Sequence, residues 1–149
     1  MKENIENLGE PDIKLAGLRI WVHGRQFPDS GDYWDGNWIT VTACCEARGA
    51  WVWVTGNFIH LGEIMILLDG SERLYRELEG KAELSCMEPE LSLELEFKSQ
   101  GKIDLSVEIT PDNLSQSHSF IFEIDQSYLP GLISSCQKIL QTFPIRGKP

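Results

Sequence analysis

The sequence predicts an α+β domain: an antiparallel sheet of about seven strands with two main helices packed against it. Three observations carry this. Leu91, Leu93, Leu95 and Phe97 alternate with Ser92, Glu94, Glu96 and Lys98. After Ser99-Gln100-Gly101, Ile103, Leu105, Val107 and Ile109 alternate with Asp104, Ser106, Glu108 and Thr110. Period-two patterning marks half-buried strands, and a three-residue loop containing Gly joins them as a hairpin. Elsewhere, Leu61, Ile64, Met65 and Leu68, and later Leu129, Leu132, Ile133, Cys136, Leu140 and Phe143, recur at the spacing of one helical face. Hairpin-joined strands pair antiparallel, and helices on part of such a sheet make the α+β class.

In chain order, residues 1–11 are polar and read as a loose amino-terminal arm. Ile13, Leu15, Leu18, Ile20 and Val22 form a strand pattern that slips register near Ala16-Gly17, which predicts a bulge. His23 to Gly36 reads as a long loop, and Trp38 to Cys45 as the second strand. After a turn at Arg48-Gly49 the chain returns as Ala50 to Thr55. There Trp51 and Trp53 share one face and Val52 and Val54 the other, which predicts a central strand covered on both sides.

The first helix starts near Leu61, and Asp69-Gly70 is expected to end or kink it. Ser71 then caps a short segment carrying Leu74, Tyr75 and Leu78, closed by Gly80. Ala82, Leu84 and Cys86 alternate with Glu83 and Ser85 as another strand, and Glu88-Pro89-Glu90 turns into the hairpin. Pro111 to Gln116 is a loop and Ser119 to Ile124 a last strand. Asp125 or Ser127 caps the final helix, which accepts Pro130 in its first turn and stops at Pro144. No repeat or linker divides residues 1–149, so one domain is expected.

Charge narrows the partners. A net charge of −10 and a pI near 4.7 disfavour nucleic acid and anionic membrane, which repel such a chain. Met1 to Asn7 lacks the apolar run of a signal peptide. Ile64 to Leu68 falls far short of the ~20 apolar residues of a membrane span. Cys44 and Cys45 are adjacent and Cys86 and Cys136 stand alone, without a Cys-x-x-Cys motif. Buried thiols in a reducing compartment fit that pattern, so a cytoplasmic protein is expected.

The hairpin loop pairs Glu96 with Asp104, Glu94 with Ser106, and Ser92 with Glu108. Glu96 and Asp104 then sit directly opposite, and like charges so placed destabilise a sheet. One reading is a solvated face partly relieved by Lys98 and Lys102. The other is a surface of Glu83, Glu94, Glu96, Asp104 and Glu108 kept acidic for a basic partner.

Asp32-Tyr33-Trp34-Asp35-Gly36-Asn37-Trp38 is the second distinctive segment. Its Asp32 and Asp35 offer a competing acidic contact. Its Tyr33, Trp34 and Trp38 offer aromatic platforms for a small ligand or a carbohydrate. Equally, Asp-Gly-Asn suits a turn with positive φ, with Trp38 entering the core. His23, His60 and His118 are scattered outside any helical metal motif, and read as surface or capping residues. Nucleophile elbow, phosphate loop and dinucleotide fingerprint are absent, so neither catalysis nor a metal or cofactor is expected.

Asp35-Gly36-Asn37-Trp38-Ile39, the stretch Thr55 to Leu68, and Met87-Glu88-Pro89-Glu90-Leu91-Ser92-Leu93-Glu94-Leu95 together resemble the WapI-type immunity proteins of bacterial polymorphic toxin systems. That family carries an Asp-x-Asn-Trp-Leu-like start to its second strand and a Glu-Pro-Asn-Leu-Ser-Phe-Glu-like strand after its helix. Here Glu90 replaces the Asn and Leu93 the Phe. Phe143-Pro144-x-Arg146 is similar to the family's end, and the likeness spans roughly residues 13–146. The resemblance implies a small cytosolic protein that binds and neutralises a toxin domain. An acidic, non-catalytic chain suits a basic toxin, since opposite charge raises association rates by roughly 10–10³-fold.

Overall fold

Ile13 and Leu15 pair with Ile20 and Leu18 across a two-residue turn at Ala16-Gly17. The register slip in this stretch is therefore a hairpin, not a bulge: Ala16 takes φ 53° and reverses the chain. Gly17 is required by contact, because a Cβ there would lie 2.0 Å from the Glu46 carbonyl oxygen and 2.8 Å from Cζ of Phe122. The computed structural model describes residues 2–149. Met1 of the expected arm lies outside them.

The element order is α1 (Lys2–Glu6), β1 (Ile13–Leu15), β2 (Leu18–Arg25), α2 (Tyr33–Gly36), β3 (Trp38–Ala47), β4 (Ala50–His60), α3 (Leu61–Glu77), β5 (Lys81–Ser85), β6 (Leu91–Phe97), β7 (Lys102–Ile109), β8 (Ser119–Asp125) and α4 (Leu129–Thr142). The fold is α+β as expected. Its strands divide into two four-stranded antiparallel sheets, ordered β1-β2-β3-β4 and β5-β6-β7-β8. The extra strand comes from splitting the first pattern at Ala16-Gly17. Bulges do occur in this sheet, between Val22 and Gly24 and between Ile39 and Val41.

β4 differs most from expectation. It is an edge strand, and its Trp face is not core: Trp53 is 36% exposed. Only Val54 of its valines is fully buried. On the Trp face Ile5 of α1 is buried with Trp21 and Cys44, and Trp51 packs against them. The Arg19 guanidinium lies 5.3 Å over the Trp21 ring, a cation–π contact. The segment expected as a loose arm thus places an apolar anchor on the sheet. An apolar alternation of Trp and Val does not tell a two-sided central strand from an edge strand with amphipathic rings.

α3 runs unbroken through Asp69-Gly70-Ser71. Gly70 serves packing, not termination: a Cβ there would meet Ala82 Cβ at 3.2 Å and Ala82 Cα at 3.3 Å, so α3 lies close on β5. Leu61, Ile64, Leu67, Leu68 and Leu74 are buried, while Met65 and Ile66 face out. Leu78 ends the helix in the left-handed region at φ 53°. α4 buries Leu129, Leu132, Cys136 and Ile139. Ile133, Leu140 and Phe143 of the expected stripe are only partly buried, so its axis runs through Ile139. α3 packs on α4 and β5, α4 on β1, and β3 and β4 meet β7. One core therefore joins both sheets and both long helices.

Candidate binding surface

The β6–β7 hairpin has the register expected of it. Leu93 faces Val107, Leu95 faces Leu105, Glu96 faces Asp104, Glu94 faces Ser106 and Ser92 faces Glu108. The Lys98 N–H donates to the Lys102 carbonyl at 2.8 Å and closes the loop, with Gln100 and Gly101 at positive φ. Leu93, Leu95, Leu105 and Val107 are buried. β5 adds Lys81 opposite Glu96 and Glu83 opposite Glu94. β8 adds Glu123 opposite Asp104 and Ile121 opposite Ser106. Glu83, Glu94, Glu96, Asp104 and Glu108 therefore share the outer face of one sheet.

Lysines thread this face. Lys98 Nζ lies 2.5 Å from Glu96 Oε1 and 3.8 Å from Asp104 Oδ2, so a cation sits between the facing carboxylates. Lys81 Nζ lies 3.1 Å from Glu96 Oε2 and 3.5 Å from Glu94 Oε1. The hydrogen bonds from Lys98 and Lys81 hold the Glu96 carboxyl below its ordinary range, and Glu96 in turn raises both lysines. Lys102 does not serve the Glu96–Asp104 pair as expected; it reaches Glu123 at 3.5 Å.

Among the described residues Glu83 and Glu108 have no ion-pair partner. With Glu94 they rim an open depression of about 220 Å³, whose lining includes Ser85, Ser92 and Ser106. Serines keep the middle open where larger side chains would fill it. A carboxylate-rimmed, hydroxyl-lined dent accepts a primary ammonium or a guanidinium by charge-assisted hydrogen bonds.

The Asp32–Trp38 segment lies elsewhere, at the start of α3 and beside the carboxy-terminal segment. Asp32 caps α2 by accepting from the N–H groups of Trp34 and Asp35, both at 3.0 Å. Asp35 is exposed. Tyr33, Trp34 and Trp38 surround His60, with ring centroids 5.0, 5.8 and 5.2 Å from it. Trp34 is 51% exposed; Tyr33 and Trp38 are partly buried. The positive φ expected at Asp-Gly-Asn is not found: Asn37 has φ −110°. Gly36 is needed because a Cβ would lie 2.5 Å from the Ser30 carbonyl oxygen.

His60 is a buried cap. Its Nδ1 accepts from the Gly62 N–H at 3.0 Å, which leaves Nε2–H to donate to the Tyr33 carbonyl at 3.1 Å. Glu63 completes a capping box from the His60 N–H at 2.8 Å and accepts from the Met87 N–H at 2.8 Å.

Sequence reasoning missed Lys81, Ile121 and Glu123 on the acidic face. Alternation along Ser119 to Ile124 puts Ile121 and Glu123 on one side, but only the β7–β8 register shows which side. Among the described residues no helix is long and apolar enough to cross a membrane.

The immunity protein WapI-like family model matches residues 11–144. No curated protein matches the chain. Among solved structures the chain is similar to WHY1 from Arabidopsis thaliana, at 12% identity over 86% of this chain and 78% of that one, with a TM-score of 0.49. So distant a likeness carries no argument about function.

Proposed function

This chain belongs to the immunity protein WapI-like family, and from that premise we propose that it neutralises a toxin domain by binding it without catalysis. The match across residues 11–144 is the observation that carries the reading. The outer face of the β5–β8 sheet supports it. Its Glu83 and Glu108, without ion pairs among the described residues, attract a basic toxin from a distance and receive a Lys or Arg side chain on contact. The reading places the protein in the cytoplasm of a bacterium, as one domain over residues 1–149, where it meets the toxin before damage is done.

Co-expression tests this. The toxin domain encoded beside this gene should arrest cells alone and spare them with the chain, and purified chain should form a complex with it. Continued arrest together with no complex refutes the reading.

The second reading, a small-ligand or carbohydrate module, has Trp34 in its favour as a half-exposed ring. Tyr33 and Trp34 meet edge-on, at 86°, and not as a flat platform. A glycan screen that quenches tryptophan fluorescence would favour it.

A further inference from the structure

β8 is the outermost strand of its sheet, and its outward edge is open. Ile109 N–H donates to the His118 carbonyl and Gln126 N–H to the Gly101 carbonyl, which brackets the β7–β8 ladder. Antiparallel alternation from these two bonds turns the backbone groups of Phe120, Phe122 and Ile124 toward β7. Those of Ile121 and Glu123 then point away from it. Among the described residues no strand and no loop backbone bonds to them.

An edge of this kind is ordinarily guarded by charged side chains, Lys above all, by Pro or by a bulge; the charges here, Glu123 and Asp125, are both acidic and repel only an acidic strand. Ser-Phe-Ile-Phe-Glu-Ile-Asp has no Lys, Pro or bulge, and Ile121 is 73% exposed. On the opposite face Phe120 and Phe122 stack at 6.4 Å and are partly buried against the core. The other open candidate, β4, has the 111–118 loop beside it: Pro111, Gln116 and His118 line one depression with Trp51, Val52 and Trp53. β5 lies under α3. β8 is thus the strand left with free amides and apolar side chains on both faces.

Its surroundings select the occupant. Residues of an added strand on the outer side would neighbour Ser119 and Glu123 and, beyond them, Glu108 and Asp104; Lys102 pairs with Glu123, while Glu108 has no ion pair among the described residues. Residues on the inner side would neighbour Phe120 and Phe122. A second copy of this chain would bring −10 against −10 at that edge, which opposes self-pairing. Resting on the toxin-neutralising reading above, we infer that the toxin domain adds an extended segment to the open edge of β8, with Lys or Arg on one face and apolar residues on the other. Main-chain hydrogen bonds give such an addition affinity and the alternating side chains give it specificity.

The test uses the full chain and the purified toxin domain encoded beside its gene. Hydrogen exchange of the Ile121 and Glu123 amides should slow on complex formation. Ile121→Pro removes an outward donor that the fold does not use, so edge placement tolerates it. It should weaken binding by about tenfold or more, whereas Ile121→Thr, which keeps the donor, should stay within about threefold. Unslowed exchange at both amides in the wild-type complex overturns the inference even if Ile121→Pro fails to fold, and so does full affinity in a folded Ile121→Pro. Self-association of the wild type that Ile121→Pro abolishes assigns the edge to a second copy and also overturns it. Absence of any complex with the wild type, together with continued arrest on co-expression, refutes the toxin-neutralising reading itself. A complex with unprotected β8 amides leaves that reading standing and removes only this mode of binding.

Discussion

Asn37 grips the backbone of Arg146 from both sides across 109 residues of sequence. Its Oδ1 accepts from the Arg146 N–H at 2.9 Å and its Nδ2 donates to the Arg146 carbonyl at 2.8 Å. That pair of bonds imitates a strand ladder and pins the carboxy-terminal segment to the start of β3. Arg25 reinforces it, donating to Asn37 Oδ1 at 3.2 Å, to the Gly36 carbonyl at 2.6 Å and to the Pro144 carbonyl. The Arg146 side chain donates to the carbonyls of Pro28 and Ser30.

Asn37 is 0% exposed, so its loss strands buried partners. Leaving a buried donor or acceptor unsatisfied costs about 1–3 kcal/mol each. Asn37→Ala is therefore expected to lower stability by roughly 2–4 kcal/mol in chemical denaturation. Deleting residues 144–149 removes the same contacts, so the two changes together should cost less than their sum. A loss below about 0.5 kcal/mol for Asn37→Ala, the scale of a surface change, would show the clasp to be incidental.

The α4 stripe gives a second expectation. Ile139 and Cys136 are fully buried, and Leu140 sits at the margin. Ile139→Ala should cost about 2–5 kcal/mol, the range of large-to-small changes in a closed core. Leu140→Ala should cost clearly less. Equal costs in urea denaturation would contradict this orientation of the helix.

Local pattern made the hairpin legible down to its register, because a one-residue slip would expose every apolar side chain of Leu91–Phe97. It made the two main helices legible for the same reason. It failed where a residue answers to a distant one. Gly70 looks like a helix stop and is a contact with Ala82. Gly36 looks like a turn residue and is a close approach to Ser30. Trp51 and Trp53 look central, but strand order decides that, and strand order is not written in one strand. The resemblance motifs carry their own explanation. Asp35–Ile39 and Phe143–Arg146 meet at Asn37, and Thr55–Leu68 meets Met87–Leu95 where Glu63 takes the Met87 N–H. They are clasps of the fold. The acidic face was readable as a set of residues, but its pairing with Lys81 and its extension to Ile121 and Glu123 required the sheet.

The cysteines set an alkaline limit. Burial pushes Cys45 up to about 12, helped by Cys44, and burial alone pushes Cys136 up to about 12, from an ordinary value of 9.0. Burial also raises Cys44, and burial with Glu63 raises Cys86. A thiol raised in the folded state keeps its proton while the unfolded chain loses it. Its stabilising contribution is complete below about pH 9 and is lost between about pH 9 and 12. Stability should therefore fall through that window, and more shallowly in Cys45→Ala/Cys136→Ala. At pH 8 the three buried thiols of the native chain, Cys44, Cys45 and Cys136, should not react with a disulfide reagent in the time that the denatured chain reacts fully. Rapid native labelling, or a pH slope unchanged by the double substitution, would contradict this.

Charge reversal separates the carboxylates that meet a partner from those that serve the sheet. Glu96 and Asp104 share Lys98, and Glu96 and Glu94 share Lys81. Glu96→Lys would set a new cation between two lysines, so Glu96→Lys/Asp104→Lys should lower the melting temperature instead of relieving a repulsion. Glu83 and Glu108 have no such partners, and Glu83→Lys/Glu108→Lys should leave the melting temperature nearly unchanged, since exposed charges contribute about 0–1 kcal/mol. The same double variant should slow association with the toxin domain by about tenfold. The wild-type rate should fall as salt rises, because attraction across more than about 10 Å is screened at 0.1 M. Asp35→Lys is the control on the competing loop; Asp32 is unsuitable because it caps α2. Slower association for Asp35→Lys with none for Glu83→Lys/Glu108→Lys would move the contact to the Asp32–Trp38 loop. Unchanged rates for both would reduce the acidic face to a solubility feature.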